Sequence, residues 1–296
     1  LAPLAVASQT IAEAARIGLE IVEVAEPSGG PIEITNYEKL HRFDPAGYGA
    51  IVLDESSILK SVDGRTRTRL IREWTRVPMR LCCTATPAPN DIAELANHAE
   101  FLGAMPRAEM LATFFVHDDA GWRLKGHARD AFWRWVASWA SFVRRPSDLA
   151  HEDDGFLLPP LRVLDEVVAA DYRPTGSLFA DLPSGIGGRL EARRQTIAER
   201  VAHAARLIRE RPGPWLVWCG LNAEADAIEA ALGAEAVQIA GADSEDDKIA
   251  RERAWRSGER RVLISKPRIF GFGMNWQHCR QMIFLGIGDS YEQYYQ

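Results

Sequence analysis

Short β-branched or apolar runs recur along this chain, bounded by Gly, Pro, Asn and Asp, with helical patterns between them. Residues 19–25, 32–35, 50–53 and 79–83 are of this kind in the first half, and 215–219, 236–239, 261–265 and 282–285 in the second. A strand with one wet face alternates apolar and polar residues, whereas continuous apolarity marks a strand covered on both faces. Parallel sheets between layers of helices need such strands, and the intervening helices supply the crossovers. The pattern therefore predicts an α/β protein. Residues 1–6 read as a first strand, followed by a helix opened by Ser8 and stopped at Gly18.

The sequence has 296 residues, enough for two domains of roughly 150 each. Residues 1–150 read as one α/β lobe, with a helical insertion from about residue 91. Residues 151–296 read as a linker, rich in Gly, Pro and Ser at 175–188, and a second lobe. Helical patterns at 193–211, 223–232 and 244–256 separate the strands of that second half. The chain opens on Leu1 rather than Met and stops at Gln296 in mid-pattern, so a fragment is expected.

Hydrophobic residues at 47% and charged residues at 26% exclude disorder as the main state. A net charge of −6 argues against attachment to nucleic acid or membrane by a bulk positive field. No run approaches the ~20 apolar residues of a membrane span. Cys82 and Cys83 are adjacent while Cys219 and Cys279 stand alone; with no CxxC pair, a reduced, cytoplasmic setting is expected.

The sharpest chemical feature is Ile51-Val52-Leu53-Asp54-Glu55, where an apolar run delivers two carboxylates at its C-terminal end. In a parallel α/β sheet that edge opens onto the ligand crevice. One carboxylate suits Mg²⁺, which keeps its water and prefers oxygen ligands. The next suits the orientation and deprotonation of an attacking water in phosphoryl transfer. A second apolar run, Leu81-Cys82-Cys83, ends in Thr84-Ala85-Thr86-Pro87. If the two runs are neighbouring strands, Thr84 and Thr86 can hydrogen-bond to Asp54 and Glu55 and report on what fills the crevice.

Asp54-Glu55-Ser56-Ser57-Ile58-Leu59-Lys60 followed by Thr84-Ala85-Thr86-Pro87-Ala88-Pro89-Asn90 resembles motifs II and III of superfamily 2 helicases. Within them it is closest to the Swi/Snf-like translocases and their phage relatives. Other motifs follow in order. Leu1-Ala2-Pro3-Leu4 resembles motif Ia, and Ile34-Thr35-Asn36-Tyr37-Glu38 the next nucleic-acid-contacting motif. Val143-Arg144-Arg145-Pro146 with Leu158-Pro159-Pro160 resembles the bridge into lobe two, and Trp215-Leu216-Val217-Trp218-Cys219 motif IV. Ile264-Ser265-Lys266 with Gly271-Phe272-Gly273-Met274-Asn275 resembles motif V, and residues 289–296 the entry to motif VI.

The resemblance implies two tandem RecA-like lobes with parallel sheets flanked by helices, a helical insertion between them, and ATP-dependent translocation on DNA. It implies Asp54 as Mg²⁺ ligand, Glu55 as general base, and Thr84 and Thr86 as coupling residues. Gly273 and Gln296 would line the nucleotide side of lobe two. Pro3, Thr35, Asn36, Ser265 and Lys266 would meet the DNA backbone through hydroxyls, amides and charge rather than base contacts. Four departures bear on this. No G-x-x-x-x-G-K-[ST] phosphate loop occurs in these residues, and the arginines of motif VI do not occur either. Ser57 stands where many relatives carry His, and residues 267–270 look inserted before the glycines of motif V. The chain alone is expected to show negligible ATPase. The rival reading is a non-catalytic DNA- or partner-binding relic of such a helicase.

Plainer readings cover the remaining features. Arg65, Arg67, Arg69, Arg72, Arg76 and Arg80 read as a solvated helix face rather than a phosphate track. Phe132, Trp133, Trp135, Trp139 and Phe142 read as the packing of the inserted helices. Asp243 to Asp247 is an acidic first turn after a Ser cap rather than a Ca²⁺ loop. No two histidines stand at i, i+4, which argues against zinc.

Overall fold

A computed structural model of the chain describes all residues except 4, 5, 62, 63, 120, 171, 173–184, 272 and 296. The first elements are α1 (Ala7–Arg16), β1 (Val22–Glu23), β2 (Glu33–Ile34), β3 (Ala50–Asp54), α2 (Arg65–Glu73) and β4 (Met79–Cys83). Then come α3 (Leu95–Leu102), α4 (Arg107–Phe114), β5 (Phe115–Asp118), β6 (Gly121–Leu124) and α5 (Arg129–Ala137). The C-terminal part holds α6 (Gly185–Gln195), α7 (Ile197–Glu210), β7 (Trp215–Trp218), α8 (Asn222–Leu232), β8 (Ala236–Gln238) and α9 (Glu245–Arg256). It ends with β9 (Val262–Ser265), α10 (Pro267–Phe270), β10 (Gln281–Phe284) and α11 (Tyr291–Tyr295). The chain forms two compact units, one of Leu1–Phe43 with Val168–Gln296 and the other of Asp44–Val167.

The first unit is built on a parallel sheet of order β10-β7-β9-β8. Its central strands read Trp-Leu-Val-Trp and Val-Leu-Ile-Ser, and every one of those residues is buried. Strand periodicity splits them between two cores. Trp215, Val217, Val262 and Ile264 pack against α7 and α8 through Val201, Ile208, Ile228 and Leu232. Leu216, Trp218 and Leu263 pack on the other face against Ile239, Trp255, Phe270 and Trp276. Continuous apolarity in these runs does signify double coverage. Ser244 caps α9 by accepting the Asp247 N–H, and three acidic residues occupy its first turn, as a Ser cap and helix dipole require. The single helix read over 193–211 is two, interrupted at Thr196, whose hydroxyl bonds back to the Ala192 carbonyl.

The runs near the N-terminus behave differently. Ala2 makes one parallel bridge to Asn36, while 4 and 5 lie outside the described residues. The run over 19–25 pairs only as β1 against β2, and Leu19 and Val22 are exposed. Apolar residues alone do not make a covered strand where little of a sheet surrounds them.

In the second unit β3 and β4 pair in parallel, with Asp54 opposite Cys83. Ile51 and Leu53 point inward while Val52, Met79 and Leu81 are exposed. The stretch after β4 holds α3, α4 and α5, as an inserted helical region would. It also holds an antiparallel hairpin, β5–β6, that helical patterning did not reveal. Phe114, Phe115 and Phe132 belong to its core, with Trp135 and Trp139 packed against them, so these aromatics serve packing, whereas Trp133 and Phe142, read with them, are exposed. The arginine series is mixed: Arg67 pairs with Glu100, Arg69 with Glu73, and Arg80 donates to the Val77 and Leu102 carbonyls. Arg65, Arg72 and Arg76 are the exposed members. The linker reading falls mostly on 173–184, outside the described residues, and Gly185 already opens α6.

Candidate functional site

In the second unit, β3 carries Asp54 to the carboxyl edge of its strand pair, and β4 carries Thr84 and Thr86 just past the same edge. The adjacency that coupling between these residues requires is therefore present. Asp54 Oδ1 accepts the Glu55 N–H at 3.1 Å, which turns the chain sharply out of the strand. Glu55 itself sits in the left-handed backbone region, at φ 50 and ψ 50. A long side chain pays roughly 1 kcal/mol or more for that conformation, and such strain collects where a side chain must be aimed. Behind it the 3-10 turn Ser56–Lys60 is anchored by Leu59, which is fully buried.

Two contacts hold that turn against α3. Ser56 Oγ and His98 Nε2 lie 3.2 Å apart, both buried, and the Asn97 side-chain amide donates to the Lys60 carbonyl at 3.2 Å. Burial drives the His98 pKa down to about 4, only partly offset by hydrogen bonding around Ser56 and Glu94, so the ring is neutral. Burial likewise pushes the Cys82 thiol up to about 12, and burial together with the Asp54 charge raises Cys83. Neither cysteine is a poised nucleophile. Thr84 Oγ1 accepts the Thr86 N–H at 3.1 Å, and Thr86 is buried.

The donor set at the carboxyl edge is hard oxygen: one strand-end carboxylate, a second beside it, and two hydroxyls. It fits a Mg²⁺ held through Asp54 and water. It does not fit an all-protein metal cage, and no group of three His, Cys, Asp or Glu side chains suited to a metal exists among the described residues.

In the first unit, the carboxyl ends of β7, β9 and β10 surround a cavity of about 220 Å³. Gly220, Lys266, Arg268, Gly286, Ser290 and Tyr294 are among its lining residues. Lys266, expected from the sequence as a backbone contact, is thus at an open edge. Ser265, expected beside it, is 1% exposed and donates its hydroxyl to the Ile239 carbonyl at 3.0 Å. Cys219 also borders the cavity; burial, with the Glu224 charge, lifts its thiol to about 12.

The remaining expected residues are placed as follows. The Pro3 carbonyl accepts the Val6 N–H, and the Thr35 carbonyl accepts the Ala2 N–H. The Asn36 side chain caps the 3-10 turn Tyr37–Arg42 by accepting the Lys39 N–H. Thr35 and Asn36 are both buried. Gly273 has φ +69 and is so close to Val6 that a Cβ would lie 2.8 Å from a Val6 methyl. Gln9 binds the neighbouring loop, accepting the Asn275 N–H at 2.9 Å. Gln296 lies outside the described residues.

Sequence reasoning missed a buried charge cluster. Glu224, in the first turn of α8, is fully buried and faces Arg200 at 2.8 Å and Arg193 at 3.5 Å. Its signal was a carboxylate in a helical first turn preceded by Gly220 and Asn222, a pattern too common to single out.

No protein-family model matches the sequence, and no curated protein matches it. Among solved structures, S. cerevisiae Dbp5 bound to RNA and ADP BeF3 matches over 97% of this chain, with a TM-score of 0.54 at 11% identity. The Sulfolobus solfataricus SWI2/SNF2 ATPase core in complex with dsDNA matches over 96% of this chain and 70% of its own, with a TM-score of 0.42 at 14% identity. The same core domain, in a second structure, matches over 96% of this chain and 68% of its own, with a TM-score of 0.41 at 14% identity. The likeness to Dbp5 shows an α/β fold of the RecA-like kind, with parallel sheets and flanking helices. The chain spans 62% of the Dbp5 chain that it matches. No helix among the described residues is long and apolar enough to cross a membrane.

Proposed function

We propose that this chain carries much of the motor of an ATP-dependent DNA translocase or helicase of the Swi/Snf-like, phage-related kind. The observation that carries the reading is Glu55, held in left-handed backbone beside Asp54 at the carboxyl edge of a parallel strand. A turn that merely left the core would relieve that strain with Gly or Asn. ATP supplies the phosphoanhydride, and Mg²⁺ would be held by Asp54. Glu55 would orient a water and accept its proton. Thr84 and Thr86, one strand away, would sense occupancy at that edge and couple it to movement. Gly273 and Gln296 are assigned to the nucleotide side of lobe two, and Pro3 and Lys266 to the DNA backbone; Thr35, Asn36 and Ser265 are buried, and their part is to shape the strand ends rather than to touch DNA.

This reading also makes the chain a fragment. Val52, Met79 and Leu81 lie exposed on a two-stranded parallel pair, whereas parallel strands are stable when covered on both faces. A neighbouring strand and helix bearing the phosphate loop would cover them. Without that loop the backbone amides and lysine that cradle phosphates are absent from the sequence, and the chain alone should not turn over ATP. The second reading is a non-catalytic DNA- or partner-binding relic. ATP hydrolysis and DNA binding by the chain extended through its flanking coding sequence separates the two. DNA-stimulated hydrolysis abolished by Glu55→Gln supports the motor; DNA binding with no hydrolysis supports the relic; neither activity removes both.

A further inference from the structure

We propose that Glu224 is a positioning residue that ties the two loops after β7 and β10 into one wall of the cavity. The wall is the surface that the carboxyl edge of this sheet offers to a nucleic-acid backbone, so this step rests on the nucleic-acid reading above. A glutamate in a first helical turn ordinarily stays at the surface and caps its own helix. Glu224 instead is fully buried, with Oε2 accepting the Gly220 and Leu221 N–H groups at 2.8 and 2.9 Å. Arg200 Nη1 stands 2.8 Å from Oε1, and Arg193 Nη2 stands 3.5 Å from Oε2.

Capping α8 does not call for two partly buried arginines. Their surplus charge is met across the sheet edge: Arg200 donates to the Leu285 and Arg193 carbonyls, and Arg193 to the Gly286 carbonyl. Loops far apart in sequence thus share one carboxylate. The glycines confirm how closely they are drawn in. A Cβ on Gly220 would lie 1.9 Å from Arg193 Nη2, and one on Gly286 would lie 2.5 Å from Glu224 Oε1. Gly220 and Gly286 also line the cavity, so its wall there is a single layer of backbone laid on the charge cluster. One consequence concerns anions. A strand–turn–helix such as β7–α8 ordinarily offers its first amides to phosphate. Here Glu224 has taken the Gly220 and Leu221 amides of the turn that leads into α8, and Lys266 and Arg268 are the cationic groups among the cavity's lining residues.

The test is amide hydrogen exchange on the whole chain, comparing wild type, Glu224→Ala and Arg193→Lys, each with and without sodium formate. Removing the carboxylate should speed exchange roughly tenfold or more in peptides covering both 219–222 and 284–288. Formate, filling the vacated position in Glu224→Ala, should restore both. Arg193→Lys keeps the charge but loses the planar fork, and should loosen 284–288 without formate rescue. A Glu224→Ala response confined to 219–222, or one that formate leaves untouched, overturns the proposal. If Glu224→Ala unfolds the unit, Glu224→Gln decides, since both loops must again loosen together, and Arg193→Lys must still loosen 284–288. Affinity for a double-stranded oligonucleotide is measured alongside. A wild-type chain that binds none overturns the nucleic-acid reading, while the exchange pattern still decides the positioning role.

Discussion

Ser56 and His98 meet at 3.2 Å in the interior of the second unit, joining the turn after Asp54-Glu55 to helix α3. Because burial holds the His98 pKa near 4, against an ordinary value of 6.5, the folded ring stays neutral where the unfolded one takes a proton. Between those values the unfolded state binds more protons, so stability falls as pH drops from 6.5 toward 4 and this group adds no further loss below that. The penalty is of order 3 kcal/mol when fully developed. Urea unfolding of wild type and His98→Gln at pH 7 and pH 4.5 measures it. The variant should lose clearly less stability on acidification, and equal losses would show that His98 does not titrate with unfolding.

Glu55 supplies a prediction that needs no catalysis to test. Glycine adopts its left-handed backbone freely, so Glu55→Gly should stabilise the second unit by about 1 kcal/mol despite removing a side chain. In a chain completed with a phosphate loop, the same change should cost at least about 10²-fold in ATP turnover, as loss of a general base does. Glu55→Gln should match that loss of turnover without the gain in stability. Denaturant midpoints and steady-state ATPase read the two effects separately. A destabilising Glu55→Gly would remove strain as the argument for this residue.

How much of this was legible beforehand depends on how local each signal is. The run 79–83 is a strand at those bounds, and the runs of the second half lie within a residue or two of theirs, because each is a short apolar stretch set off by turn formers, although only β7 and β9 are buried along their whole length. Asp54-Glu55 at a strand's carboxyl edge was legible for the same reason. The hairpin β5–β6 was not: Phe115-Val116-His117-Asp118 has too little alternation to be told from helix. Nor was Ser265's inward hydroxyl, since a serine at a strand end reads alike whether it faces solvent or the Ile239 carbonyl. The Glu224 cluster is tertiary altogether, its arginines standing on two other helices.

The glycines of the Gly271-Phe272-Gly273 segment have packing reasons independent of any ligand. A Cβ on Gly271 would lie 2.3 Å from the Pro267 carbonyl oxygen, a backbone atom that cannot swing aside. Gly271→Ala should therefore force α10 to shift and cost about 1–3 kcal/mol. Gly288→Ala, with nothing within 4 Å of its Cβ, should change stability by less than about 0.5 kcal/mol. Thermal or urea unfolding of the two variants makes the comparison. A neutral Gly271→Ala would mean that the turn into α10 is looser than its geometry states.

Ser265 and Lys266 are neighbours in sequence with opposite prospects, and together they test the nucleic-acid edge. Lys266 borders the cavity, whereas the Ser265 hydroxyl is committed to the Ile239 carbonyl. If Lys266 meets a phosphate, Lys266→Ala should weaken binding of any DNA sequence and reduce the slope of log affinity against log salt by about 1. Ser265→Ala should cost about 1 kcal/mol of stability through its lost hydrogen bond and leave that slope alone. Oligonucleotide titrations at several salt concentrations, with unfolding curves on the same variants, separate charge from packing. A slope unchanged by Lys266→Ala places the phosphate contact elsewhere on the molecule. A slope changed by Ser265→Ala would instead mean that the hydroxyl leaves Ile239 when the backbone arrives.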